Sequence, residues 1–176
     1  MTTPTTGRTL MLLRHAEAEQ GEGKVDKDRE LTSRGRSDAR AVGQFLGHPS
    51  QPALDLVLCS ASQRTRQTLD GLAAGGASVK KTFFDERIYS ADAASLLDVL
   101  REVPDSVHTV LMIGHAPGIP VLATALVADG VEVTPAIDLL SKGFPTCALA
   151  ILGFEGGWAA LASEAADLRD FVVRPG

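Results

Sequence analysis

The chain alternates between short apolar runs and longer stretches with a helical period. Thr9 to Leu13, Asp55 to Cys59 and Thr109 to Ile113 are brief, nearly uninterrupted apolar runs, which predicts strands covered on both faces. Val79 to Phe84 reads as a further strand. Between these runs Gly35, Ala39, Val42 and Leu46 recur at helical spacing, with Thr32 placed to cap the helix and His48-Pro49 to end it. A helix from about Ala61 to Ala74 should stop at Gly75-Gly76, and one from Asp92 to Val103, with Leu96, Leu97 and Leu100 on its apolar face, at Pro104. Another opens at Pro117, a residue suited to the first helical position.

The last third is less regular. Gly130 to Gly143 reads as an extended excursion, and Thr146 to Phe154 with Trp158 to Ser163 as a hairpin around Glu155-Gly156-Gly157. The final dozen residues read as one short element or a tail. Strands alternating with helices predict a three-layer α/β/α sandwich, its sheet mostly parallel with an antiparallel edge. At 176 residues the chain has the length of one domain, spanning 1–176 with residues 1–8 as a flexible N-terminal tail.

Composition narrows the function. An apolar fraction of 44% with 22% charged residues is that of an ordinary globular protein. A net charge of −5 argues against a broad nucleic-acid surface, so any anion site must be local. The apolar stretch Ile119 to Ala128 is too short to span a bilayer and is broken by Pro120, so no membrane association is expected. The polar N-terminus lacks the pattern of a signal peptide, which makes the cytoplasm the expected compartment. Cys59 and Cys147, both inside apolar runs, read as buried free thiols.

Chemistry gathers where strands end. Arg14-His15 closes the first apolar run, Gly114-His115 closes another a hundred residues on, and Ser60-Ala-Ser-Gln-Arg64 follows a third. In a parallel sheet all three lie at the carboxyl edge, where such sheets bind ligands. Two imidazoles and two arginine forks there suit a phosphoryl group. Arginines match its equatorial oxygens and keep their charge, and a neutral imidazole can attack phosphorus. His15, at the end of a strand, is the expected nucleophile, with Arg14, Arg64 and His115 holding the transferred group. His48 and His108 belong to no ligand pair and Cys59 and Cys147 have no clustered partners, so neither a metal nor another cofactor is expected. A cysteine phosphatase loop is also excluded, because only four residues separate Cys59 from Arg64 where five are needed.

Arg14-His15-Ala16, Ser60-x-x-x-Arg64-x-x-Gln67-Thr68 and Gly114-His115 together resemble the histidine phosphatase superfamily, which includes phosphoglycerate mutases and many phosphatases. The likeness spans about residues 9 to 128. Ala16 in place of the usual glycine, and Asp28-Arg29-Glu30-Leu31-Thr32-Ser33-Arg34-Gly35, look most like its SixA-type phosphohistidine phosphatase branch. That resemblance implies a metal-independent phosphatase with a phosphoglycerate mutase-like fold and a phosphohistidine intermediate on His15. It adds Arg29 as a pocket residue, although Glu30 stands where a proline is usual. Glu86, in Asp85-Glu86-Arg87-Ile88-Tyr89, is similar to the stretch that carries the acid in phosphoglycerate mutases and is the candidate general acid. Only about 24 residues separate Phe84 from Thr109, too few for the large helical insertion of mutases. An open pocket follows, suited to phosphohistidine on a protein partner. The alternatives are a small-molecule phosphomonoesterase or mutase-like enzyme and, in another class, a catalytically idle phosphoprotein-binding module.

Overall fold

The computed structural model describes residues 7–173. Six strands form one sheet: β1 (Arg8–Arg14), β2 (Leu56–Ser60), β3 (Thr82–Asp85), β4 (Thr109–Gly114), β5 (Leu149–Phe154) and β6 (Asp167–Val172). Their order across the sheet is β3-β2-β4-β1-β5-β6. β3, β2, β4 and β1 are mutually parallel, while β5 runs antiparallel to β1 and β6 antiparallel to β5. The predicted architecture is therefore present, antiparallel edge included.

Five helices cover the two faces: α1 (Ser33–Leu46), α2 (Gln63–Gly75), α3 (Ala93–Arg101), α4 (Gly118–Leu126) and α5 (Pro135–Ser141). Because side chains alternate along a strand, each central strand feeds two cores. Met11, Leu13, Val57, Cys59, Leu111 and Ile113 pack with Ala39, Val42, Leu46 and Leu72 of α1 and α2. Leu10, Leu12, Leu58, Val110 and Met112 pack on the other face with Leu96, Leu100, Ile119, Leu122 and Leu126 of α3 and α4. Hence the central runs lack alternation: both of their faces are inside. Each of α1, α2 and α3 begins at a side-chain cap, Thr32, Ser62 and Asp92 respectively. No described helix is long and apolar enough to cross a membrane.

Several sequence expectations are corrected. Residue 8 is not tail, since Arg8 opens β1 with its side chain buried and bonded to Gly156 and Asp105; residues 1–6 of the expected tail lie outside the described residues. Pro117 occupies the N-cap of α4, one position before that predicted. The excursion at 130–143 contains α5, opened by Thr134 as cap with Pro135 directly after it. Its apolar residues Ala136, Ile137 and Leu140 pack on the core beside Phe144 and Phe171. The expected hairpin partner of β5 is also different. Trp158 starts a single 3-10 turn and is fully buried, its indole Nε1 donating to the Val107 carbonyl at 2.7 Å. The strand that pairs with β5 is β6, in the segment expected to be a short element or tail.

Candidate active site

Four elements deliver side chains to one point beyond the carboxyl ends of β1, β2 and β4. β1 ends at Arg14 and presents His15, β2 leads through the Ser62 cap into the first turn of α2 and Arg64, and β4 leads to His115. The loop from Ala16 to Glu30 folds over them and contributes Arg29. Arg14, His15, Arg29, Arg64 and His115 line one cavity of about 290 Å³ with Glu17, Ala18, Ala116 and Thr146. Five of the six candidate residues are thus brought together. Glu86 is not among those lining the cavity: it sits in the 3-10 turn Glu86–Ile88, exposed, with its carboxylate bound to Lys27.

His15 is nine-tenths buried and its two ring nitrogens are distinguished by their partners. Nδ1 lies 2.7 Å from the Ala16 carbonyl oxygen, which can only accept, so Nδ1 carries the proton. Nε2 accepts from Arg64 Nε at 3.3 Å and so bears the lone pair. Burial, opposed by the Ala16 hydrogen bond and aided by Arg64, Arg14 and Arg29, pushes the His15 pKa down to about 4. The imidazole is neutral at physiological pH. His115 is similarly buried, its pKa pushed to about 3 by burial and by its neighbours His15 and Arg64. The two rings lie 5.2 Å apart, and Tyr89 meets His115 edge to face at 5.5 Å.

The arginines are fixed by backbone and carboxylate acceptors. Arg64 donates through Nη1 to the Asp26 carbonyl at 2.8 Å and through Nη2 to the Asp26 carboxylate at 3.1 Å. Asp26 also receives Arg29 Nε at 3.0 Å and the Tyr89 hydroxyl at 2.5 Å, and these bonds, Tyr89 foremost, hold its pKa near about 2. Arg14 donates to the Phe144 carbonyl at 2.9 Å, leaving its Nε buried without a partner. Three guanidiniums thus surround an imidazole lone pair in a small cleft, an arrangement that attracts a compact anion and sets a nucleophile against it.

Three contributors escaped the sequence reading. Asp26 lies among several acids in a loop whose pattern gives no hint which one turns inward. Thr146 reaches the cavity from just before β5, a strand distant in sequence. Cys147 supports the floor through its backbone, its N–H donating to the Arg14 and His15 carbonyls at 3.1 and 3.0 Å with φ at 60°. A non-glycine residue in the left-handed region is strained, and here it lies directly under the candidate nucleophile. Both cysteines are free and buried, as expected, with their pKa values pushed up to about 12 by burial. Among the described residues no group of three His, Cys, Asp or Glu side chains is arranged to hold a metal ion.

Comparison with known proteins agrees with this geometry. Residues 10–92 match the model of the histidine phosphatase superfamily, branch 1. The chain is 34% identical over 161 residues to an uncharacterised protein of Mycobacterium tuberculosis, covering 92% of this chain and 99% of that protein. Among solved structures it is similar to SixA of Nakamurella multipartitia, at 37% identity and TM-score 0.84 over 98% of this chain and 99% of that one. SixA of Agrobacterium tumefaciens matches at 25% identity and TM-score 0.76, covering 95% and 98% of the two chains. The protein histidine phosphatase SixA in complex with tungstate shares the fold, with TM-score 0.73 at 20% identity over 93% of this chain and 96% of that one.

Proposed function

Because this chain belongs to the histidine phosphatase superfamily, we propose that it is a phosphatase working through a phosphohistidine on His15, with a protein-borne phosphohistidine as its substrate. The observation that carries the proposal is the tautomer of His15. With Nδ1–H committed to the Ala16 carbonyl, the lone pair of Nε2 faces the cavity beside Arg64.

In the first step Nε2 attacks phosphorus, the bond from phosphorus to the leaving nitrogen or oxygen breaks, and the leaving group departs with a proton. The imidazole then carries positive charge, which the Nδ1–H bond to Ala16 stabilises. Arg14, Arg29 and Arg64 hold the equatorial oxygens as charge develops on them, and His115 donates to one more. In the second step water attacks the phosphoryl group, the P–Nε2 bond breaks, and inorganic phosphate leaves with His15 neutral again. Arginine charge supplies the electrostatic stabilisation in both steps, so turnover is expected to persist in EDTA.

The way the nearby carboxylates are held supports a phosphoramidate substrate. A protonated phosphoramidate leaves with little help, whereas an alkyl phosphate needs a proton donor. Glu86 faces Lys27 outside the cavity, and the one carboxylate lining it, Glu17, is engaged as an acceptor by Thr32 Oγ1 at 2.8 Å. A small-molecule phosphomonoesterase is the second reading, favoured by the small volume of the cleft. A side-by-side rate panel of phosphohistidine peptide, phosphoramidate, aryl phosphate, sugar phosphates and 3-phosphoglycerate tests the proposal. Preference for the phosphohistidine peptide is expected; preference for a sugar phosphate or 3-phosphoglycerate would replace it with the second reading. Failure of every compound to label His15 would leave a phosphoprotein-binding module instead.

A further inference from the structure

Ser60 closes β2 with its side chain wholly buried, and its Oγ meets His115 Nε2 at 2.8 Å. The other ring nitrogen of His115, Nδ1, is buried and has no hydrogen-bond partner, although the residue lines the cavity. We infer that Ser60 donates its hydroxyl proton to His115 Nε2 and so fixes that imidazole as the Nδ1–H tautomer, turning Nδ1 into the donor that receives a phosphoryl oxygen. Ser60 is thereby a positioning residue.

A neutral imidazole has one N–H and one lone pair, and a hydroxyl can serve either nitrogen. If Nε2 held the proton and donated to Ser60, the lone pair of Nδ1 would face the anion and repel it. If Ser60 donates, the sole N–H of His115 is left for the ligand. The surroundings keep both groups in place. Thr65 Oγ1 donates to the Ser60 carbonyl at 2.6 Å and holds that backbone, while the edge-to-face ring of Tyr89 and the ring of His15 flank His115 and oppose a flip. Burial beside Arg64 and Arg29 disfavours a second proton on the ring. The two histidines then carry out opposite tasks from one tautomeric form. Both hold their proton on Nδ1, His15 against a carbonyl so that its Nε2 can attack, His115 toward the phosphoryl group because its Nε2 is occupied.

Ser60's role rests on the phosphatase reading, yet the tautomer is measurable in the free protein whatever the enzyme turns over. The test is a set of proton–nitrogen correlation spectra of the full chain labelled at histidine, free and saturated with inorganic phosphate, with His115 assigned by comparison with His115→Gln. Protonated Nδ1 and unprotonated Nε2 are expected in both states. An Nε2–H tautomer, or a doubly protonated ring in either state, overturns the inference. Ser60→Ala should yield mixed tautomers and a kcat lowered about tenfold, the worth of one hydrogen bond, and Ser60→Thr should restore both. A Ser60→Ala protein that keeps a pure Nδ1–H ring overturns it equally. An Nδ1–H ring in a protein that hydrolyses no phosphorylated compound would sink the phosphatase reading and leave the tautomer assignment standing.

Discussion

Arg64 points its Nε at Nε2 of His15 across 3.3 Å while Asp26 occupies both of its terminal nitrogens. The guanidinium is thus anchored from behind and presents its third nitrogen, Nε, to the nitrogen that would attack phosphorus. An arginine in contact with a nucleophile keeps the imidazole unprotonated and stands ready to transfer its hydrogen bond to an arriving oxygen. Arg64 thus reinforces the burial that keeps His15 neutral and supplies part of the anion's seat.

His15→Ala should therefore abolish turnover, by roughly 10³-fold or more for a covalent nucleophile, with little change in the fold. Rapid quench with a labelled substrate should trap an acid-labile phosphoenzyme in the parent protein and none in the variant. Unchanged labelling in His15→Ala would place the nucleophile elsewhere.

How far the sequence revealed this site depends on what each residue had to do. His15, Arg64 and His115 were legible because they follow apolar runs, and in a parallel sheet the ends of such runs share an edge. Thr32 was legible as a cap because a hydroxyl before a periodic stretch has one common use. Asp26 was not legible. Its importance comes from a loop crossing back over α2, which no local pattern encodes. The last third misled for a different reason. Trp158 belongs to an apolar run that resembles a strand, but its indole turns inward to Val107 and bends the chain. β6 hides its strand character because Asp167, Arg169 and Asp170 are exposed and a register shift against β5 breaks the two-residue alternation. The start of α5 was marked by Thr134-Pro135, a cap followed by a first-turn proline, within a polar stretch that otherwise reads as loop.

Stability should fall with acidification over a defined interval. His15 and His115 have folded pKa values of about 4 and about 3, depressed chiefly by burial from an ordinary 6.5. Below pH 6.5 the unfolded chain binds protons that the folded one refuses, so these residues destabilise the fold progressively as the pH drops from about 6.5 toward 4 for His15 and toward 3 for His115. Their contribution is constant above that interval and levels off beneath it. Urea midpoints measured at pH 7.5, 6, 5 and 4.5 should decline, and His15→Gln should flatten the slope. An identical slope in that variant would mean that His15 titrates normally.

The two carboxylates near the site should separate under mutation. Glu17 lines the cavity, whereas Glu86 is exposed and tied to Lys27. Glu17→Gln is expected to lower kcat on alkyl phosphate and on phosphoramidate alike, by no more than about tenfold each, because Glu17 shapes the cavity and accepts from Thr32 Oγ1 rather than serving as a proton donor. Glu86→Gln should leave both substrates within about twofold, since an exposed ion pair contributes little. A selective loss on alkyl phosphates in Glu86→Gln would return the acid role to that residue.

The strongest link between fold and site runs through a glycine. A Cβ built on Gly35 would lie 2.1 Å from the Glu17 backbone oxygen, which already accepts from the Thr32 N–H at 3.0 Å. Backbone cannot yield as a flexible side chain would, so Gly35→Ala must push the segment two residues beyond His15 away from α1. Overpacking of this kind costs about 1–3 kcal/mol, which for a domain of this size lowers Tm by roughly 2–10 °C. Because His15 Nδ1 is bonded to Ala16 in the same segment, the displacement also turns the nucleophile, and a shift near 1 Å can cost about 10²-fold in rate. Calorimetry and kcat/KM on one preparation should show both losses together. A variant with the parent Tm and the parent rate would mean that the loop carrying His15 does not depend on its close approach to α1.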